Sequence, residues 1–292
     1  MLVISAWCCV SASAASRGLH VVVTTSIIED LVQNVAGQNA TLTVLAGAHS
    51  DPHTYEPKPE DNVKIAQADI IFENGLYLEP WMDKLYKTSQ SQAQRVVVSA
   101  GVPLIKSPNY RHEKAMASEY DPHVWHDVSN VRLMVKTIRD IFVKVDPPRA
   151  QEYQRNAELY DQALMELDQW IATQVAHIPQ ERKKLVTSHD TFEYFARRYG
   201  FTIIGTVIGS ATTEASDPSA LEMTRLIKEI RLSGIKTIFL ENAANPQLVK
   251  TLAREAGIQV APELYADALG ASGTYIQMMR TNVRTIVEAL QP

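Results

Sequence analysis

Short β-branched and apolar runs alternate along this chain with stretches of helical spacing. Val21-Val22-Val23-Thr24, Thr41 to Leu45, Asp69 to Glu73 and Arg95 to Ser99 read as strands. Ile27 to Val35, Glu60 to Gln67 and Pro80 to Tyr86 read as helices, the first ending at Gly37. The alternation returns further on. Leu185 to Ser188, Thr202 to Val207, Lys236 to Glu241 and Ile258 to Pro262 read as strands, with helices over Thr191 to Tyr199, Pro218 to Ser233, Gln247 to Ala256 and Thr274 to Leu290. Gly200, Gly234 and Gly257 stand where helices are capped at their C-termini. Strands that alternate with amphipathic helices predict an α/β fold, its parallel sheets covered on both faces.

Between the two sets, prolines open and close the stretch from Pro147 to Pro179. Tyr153, Ala157, Tyr160, Leu164, Leu167, Ile171 and Val175 recur there at four- and three-residue steps, one apolar stripe. A helix of about thirty residues would be roughly 45 Å long. One reading is a dimerising coiled coil; the preferred one is a stiff helix that packs along both halves and joins them. The expected organisation is a leader over 1–14, an α/β lobe over 15–146, a linker helix over 147–179 and a second α/β lobe over 180–292.

At 292 residues and 46% hydrophobic, the chain is long enough for two such lobes. Its net charge of -5, without a run of Lys or Arg, argues against a nucleic-acid partner. Met1 to Val10 is apolar and Ser11 to Ala15 offers an Ala-x-Ala site, so a secretory signal cleaved after Ala14 is expected, although the basic start of such signals is missing. Its apolar part is too short to span a bilayer. Cys8 and Cys9 both fall in this leader, which leaves the mature chain without disulfides, thiolate ligands or a cysteine nucleophile. Bulky Trp7 before Cys8 disfavours lipid attachment, so a periplasmic, unanchored protein is expected.

The candidate chemistry begins with a repeated tripeptide, Asp51-Pro52-His53 and Asp121-Pro122-His123. His189 follows the strand-like run at Leu185, and Asp267 follows the last one by a short turn. Open parallel sheets bind ligands beyond the carboxyl ends of their strands, so these loops can meet in a cleft. Three imidazoles and a carboxylate are a donor set for a tetrahedral divalent metal. His126, three residues beyond His123, is either a further ligand or a loop histidine beside the site. Glu241 can ligate, or accept a hydrogen bond from a ligating imidazole; the second is preferred.

Asp51-Pro52-His53-Thr54-Tyr55-Glu56-Pro57, Asp121-Pro122-His123-Val124-Trp125, Thr187-Ser188-His189-Asp190 and Phe239-Leu240-Glu241-Asn242 occur in that order. Together they resemble the zinc- and manganese-binding solute receptors of bacterial ABC importers (the cluster A-I metal-binding proteins), over about Leu19 to Leu290. The resemblance implies two α/β lobes joined by one long helix. It also implies a metal held between them by His53, His123, His189 and Asp267, and partners in an importer's membrane permease and its ATPase. Two ligands from each lobe would couple occupancy to small tilts of the lobes, and a monomer is expected. Two departures stand out. Ser107 to Tyr120 carries only His112 where many zinc-dedicated members have a histidine-rich loop, and His126 replaces a residue that is often apolar.

Imidazole-rich four-coordinate sites favour Zn²⁺, and manganese-dedicated relatives commonly carry glutamate where this chain has His189; Mn²⁺ is the alternative ion. A zinc hydrolase is the rival of another class. It lacks support from His-Glu-x-x-His, Gly-x-Ser-x-Gly or a P-loop, none of which occurs. A metal-binding adhesin is the other rival. The reading is therefore a binding protein and not an enzyme.

Overall fold

A computed structural model describes residues 18–107, 119–208, 218–241 and 246–291. The expected leader with Cys8 and Cys9, the segment around His112, and Asn242 of the last motif lie outside the described residues.

The first half is built on β1 (Leu19–Thr25), β2 (Ala40–Ala46), β3 (Ile70–Glu73) and β4 (Gln94–Val97), with helices α1 (Ser26–Ala36), α2 (Pro59–Gln67) and α3 (Met82–Ser89) between them. All pairings are parallel and the order is β2-β1-β3-β4. Turning into α1 directly from β1 is possible because Thr25 caps the helix: its Oγ1 accepts the Ile28 N–H at 3.3 Å. Gly37, at φ 61°, stops the helix where a side chain would be strained.

The second half contains β5 (Lys184–Thr187), β6 (Thr202–Thr206), β7 (Thr237–Glu241) and β8 (Gln259–Leu264). Parallel pairs β5-β6 and β7-β8 are hydrogen-bonded ladders, and β5 packs beside β7. The latter two are stitched at their carboxyl ends, where Ser188 N donates to Glu241 Oε1 (2.7 Å) and Glu241 N donates to Ser188 Oγ (3.2 Å). The spatial order β6-β5-β7-β8 thus repeats that of the first sheet. Helices α6 (Glu193–Tyr199), α7 (Ala220–Ser233) and α8 (Pro246–Ala256) flank these strands. Gly200 and Gly234 cap α6 and α7 in the left-handed conformation, as their positions predict.

Between the halves run α4 (Val128–Val145) and α5 (Ala150–Val175). The seven residues of the predicted stripe are the seven that α5 buries. The helix is shorter than expected: Pro147–Arg149 form a 3₁₀ turn before it, and it ends at Val175 instead of reaching Pro179. Its 26 residues span about 39 Å. The 18-residue α4 falls in a stretch where the sequence reading named no element. Asp127 caps it by accepting Ser129 N–H at 2.8 Å, and Val128, Val131, Val135, Ile138 and Phe142 line its buried face.

One apolar cluster runs without a break from α1 (Leu31, Val35) through α4 and α5 (Leu164, Leu167) to Phe195 of α6. It continues into the last helix, α9 (Tyr275–Leu290), through Met279 and Val283. Although α9 follows the second set of strands, it packs against α5 and α1. Among the described residues no helix is long and apolar enough to cross a membrane.

Candidate metal centre

His53 and His123 owe their orientation to the residues that precede them. In both tripeptides the aspartate side chain turns back to accept the histidine N–H, Asp51 from His53 and Asp121 from His123, each at 2.9 Å. This is the Asx-turn chemistry that suits Asp, and the intervening proline fixes φ within it. Asp121 does more: its Oδ1 also lies 2.7 Å from His123 Nδ1, so that nitrogen carries the proton and Nε2 faces inward. His189 stands two residues beyond the end of β5, and its Nδ1 bonds to Glu241 Oε2 at the end of β7.

The four predicted side chains come together. Each of His53, His123, His189 and Asp267 offers one ligand atom within 4.8 Å of the others, and all four are buried. His53 Nε2 is 3.2 Å from His123 Nε2. Asp267 Oδ1 lies 3.2 Å from His123 Nε2 and 4.0 Å from His53 Nε2, and its Oδ2 lies 3.4 Å from His189 Nε2. Donors 2.0–2.2 Å from one tetrahedral zinc ion stand about 3.3–3.6 Å apart, a spacing that the 3.2 and 3.4 Å pairs approach and the 4.0 Å pair of His53 and Asp267 exceeds. His189 Nε2 and both Asp267 oxygens lack a hydrogen-bond partner of normal geometry, an expensive state for buried polar atoms unless a cation is their partner.

The titration of these groups follows from their neighbours. Burial disfavours the His123 cation, but Asp121 on one nitrogen and Asp267 on the other outweigh it and push the ring up to about 10. Burial is likewise outweighed at His189, where Glu241 and Asp267 raise the value to about 9. His53 has no such carboxylate on Nδ1, and burial brings it down to about 3. Asp267 is lowered despite its burial, chiefly by His189 and His123.

Glu241 is not among the four converging groups; it holds His189 and also accepts Ser188 N–H. His126 also lies outside them. It is fully buried, its ring 4.4 Å from that of Phe192 at 33°, its Nε2 3.4 Å from Thr191 Oγ1 and its Nδ1 without a normal hydrogen bond. The loop that carries Asp267 follows β8 in the second half and is hydrogen-bonded across to the first. Trp125 Nε1 donates to Ala266 O (2.9 Å), Leu269 N donates to Ser26 Oγ (3.1 Å) and Gly270 N donates to Ala48 O (2.8 Å). Sequence reading missed Asp121 as the brace of His123 and Trp125 as that of Asp267. The first was legible in the Asx-turn habit of Asp; the second had no local signal.

Two α/β halves around a long helix, with a buried cluster of three histidines and one aspartate at the carboxyl ends of their strands, define a receptor for a divalent metal ion. Residues 21–289 match the family of periplasmic zinc-uptake complex component A, ZnuA, and the chain belongs to that family. It is 35% identical over 282 residues to the manganese-binding lipoprotein MntA of Halalkalibacterium halodurans, covering 95% of this chain and 90% of the relative. Similarity to the zinc-binding protein TroA of Treponema pallidum is of the same order, 35% over 290 residues, covering 96% and 92%. The solved structure of the latter superposes with a TM-score of 0.84 at 32% identity, over 94% of this chain and all of that one (100%). The Mn-bound periplasmic metal binding protein of candidatus liberibacter asiaticus gives 0.82 at 28%, over 93% and 99%.

Proposed function

We propose that this protein is the extracytoplasmic receptor of a bacterial metal ABC importer, capturing Zn²⁺ through His53, His123, His189 and Asp267 and handing it to the permease and its ATPase. The observation that carries this reading is the convergence of four buried donor atoms within 4.8 Å of one another, three of their separations lying at 3.2–3.4 Å, near that of a tetrahedral zinc site. Three neutral imidazoles and one carboxylate suit zinc better than manganese, which takes more oxygen donors and a higher coordination number. Four protein donors also leave no open position for a reacting water, so the site serves binding and not hydrolysis.

In this reading the lobes are residues 15–146 and 180–292, and the linker is 147–179. The ion displaces protons from the imidazoles, and the closed loops around it are what the permease recognises. Manganese is the second reading, favoured by the relative named for manganese binding and the Mn-bound neighbour. The periplasm is the proposed location. The names of several relatives as lipoproteins support a lipid on Cys8 or Cys9 as the variant of that reading, to be read by mass spectrometry of the mature protein.

The decisive experiment is a competition titration of Zn²⁺ against Mn²⁺ on the demetallated protein, with and without His123→Ala. Tight zinc binding, lost by more than 100-fold in the variant, is expected. Unchanged zinc affinity would remove His123 from the metal and with it the proposed donor set.

A further inference from the structure

Both histidine loops hang on the same short connection, residues 74–81 between β3 and α3. Asn74 Nδ2 donates to the Pro122 carbonyl at 2.9 Å, and Trp81 Nε1 donates to the Pro52 carbonyl at 2.8 Å. Each proline directly precedes a histidine of the metal centre, and the Nε2 atoms of those two histidines are 3.2 Å apart. The connection is itself firmly held. Gly75, Leu76 and Tyr77 all have positive φ (79°, 55° and 65°), a run that L side chains adopt only where the surroundings impose it. Glu79 imposes it from within. Its buried carboxylate accepts Asn74 N–H (2.8 Å), Gly75 N–H (3.1 Å) and the Thr24 hydroxyl (2.6 Å). Ser99 Oγ donates to Asn74 O at 2.6 Å, and a Cβ on Gly75 would come within 2.5 Å of Val97 Cγ1.

We propose that this connection is a common brace, acting through Asn74 and Trp81, that sets the His53–His123 spacing and thereby the preference of the site for a small tetrahedral ion. The proposal rests on the zinc-receptor reading above. Neither Asn74 nor Trp81 touches the ion; they are positioning residues. A tetrahedral zinc site fixes the distance between two nitrogens at about 3.3 Å, whereas an ion of higher coordination number accepts donors at angles from about 90° upward and so tolerates a more variable one. Loosening the brace therefore costs zinc more than manganese.

The test uses Asn74→Ala and Trp81→Phe, the second keeping an aromatic ring against Tyr55, which the indole now meets at 4.9 Å. Ser99→Ala is the control, because it removes a bond to the Asn74 carbonyl and leaves the bond to Pro122 in place. Zinc and manganese affinities are measured by chelator competition on demetallated full-length protein, alongside the melting temperature of each metal-free form. Both brace variants should bind zinc about tenfold more weakly, in the range for residues that orient metal ligands. Their zinc-to-manganese affinity ratio should fall about fivefold or more, with the ratio unmoved in Ser99→Ala. A ratio within twofold of the parent in both brace variants would overturn the brace, even if their melting temperatures drop. A parent protein that takes up neither ion would overturn the receptor reading first and the brace with it.

Discussion

Metal capture by this site should be an exchange of ion for protons, and the structure sets how many. In the metal-free protein His123 lies between Asp121 and Asp267, and His189 between Glu241 and Asp267. Those carboxylates hold the two rings up to about 10 and about 9, so at pH 7 both carry their second proton. His53, at about 3, is neutral. Zinc must displace about two protons, one from each charged ring, because it needs the Nε2 lone pairs. The observed affinity then falls about tenfold per proton per pH unit, or about 100-fold between pH 7 and pH 6. Calorimetry in two buffers of different ionisation enthalpy counts the released protons, and chelator competition across pH 6 to 8 gives the slope. Release of fewer than one proton, or affinity flat with pH, would refute the reasoning. The metal-free fold has the complementary dependence. Stability from the two charged rings is present in full below their ordinary value of 6.5 and is lost as pH rises through about 9 and 10. That from His53 runs the other way, present above 6.5 and lost as pH falls towards about 3.

Glu241→Gln keeps the size of the side chain but not the charge facing His189 Nδ1, and zinc affinity by competition should drop about 10- to 100-fold. His126→Phe removes one buried nitrogen that lacks a normal hydrogen bond and another that meets Thr191 Oγ1 at only 3.4 Å, so urea melts should show stability within about 1 kcal/mol of the parent. Zinc affinity within twofold of the parent is expected for the same variant, and a larger loss would make His126 a participant in binding. Leu164→Ala opens a cavity in the core along α5 and should cost about 2–5 kcal/mol in the same melts, with the metal stoichiometry of the folded fraction unchanged.

The sequence displays most of what its short-range physics controls. The α5 stripe is visible because burial on a single face imposes one periodicity, and the four ligand loops are visible because strand ends in parallel sheets are where ligands gather. The start and finish of α5 were less so. Pro147 allows a 3₁₀ turn as readily as a first α turn, and no residue between Val175 and Pro179 forces the helix to stop. Helix α4 hid behind the Asp-Pro-His motif, although Asp127 and the spacing of Val128, Val131 and Val135 announce it. What no local pattern carries is contact across long separations. Trp125 reaching Ala266, 141 residues away, links the Asp267 loop to the first half, and Asn74 reaching Pro122 joins loops 48 residues apart.

The unbroken apolar cluster through α5 bears on how the molecule comes apart. Leu164, Leu167 and Ile171 lie at 0% exposure in a cluster that both halves line, so excising either half would bare the same stripe to water. The two α/β halves should then unfold as a single cooperative unit. Heating should melt them together in one transition, and a fragment ending before α5 should aggregate instead of folding alone.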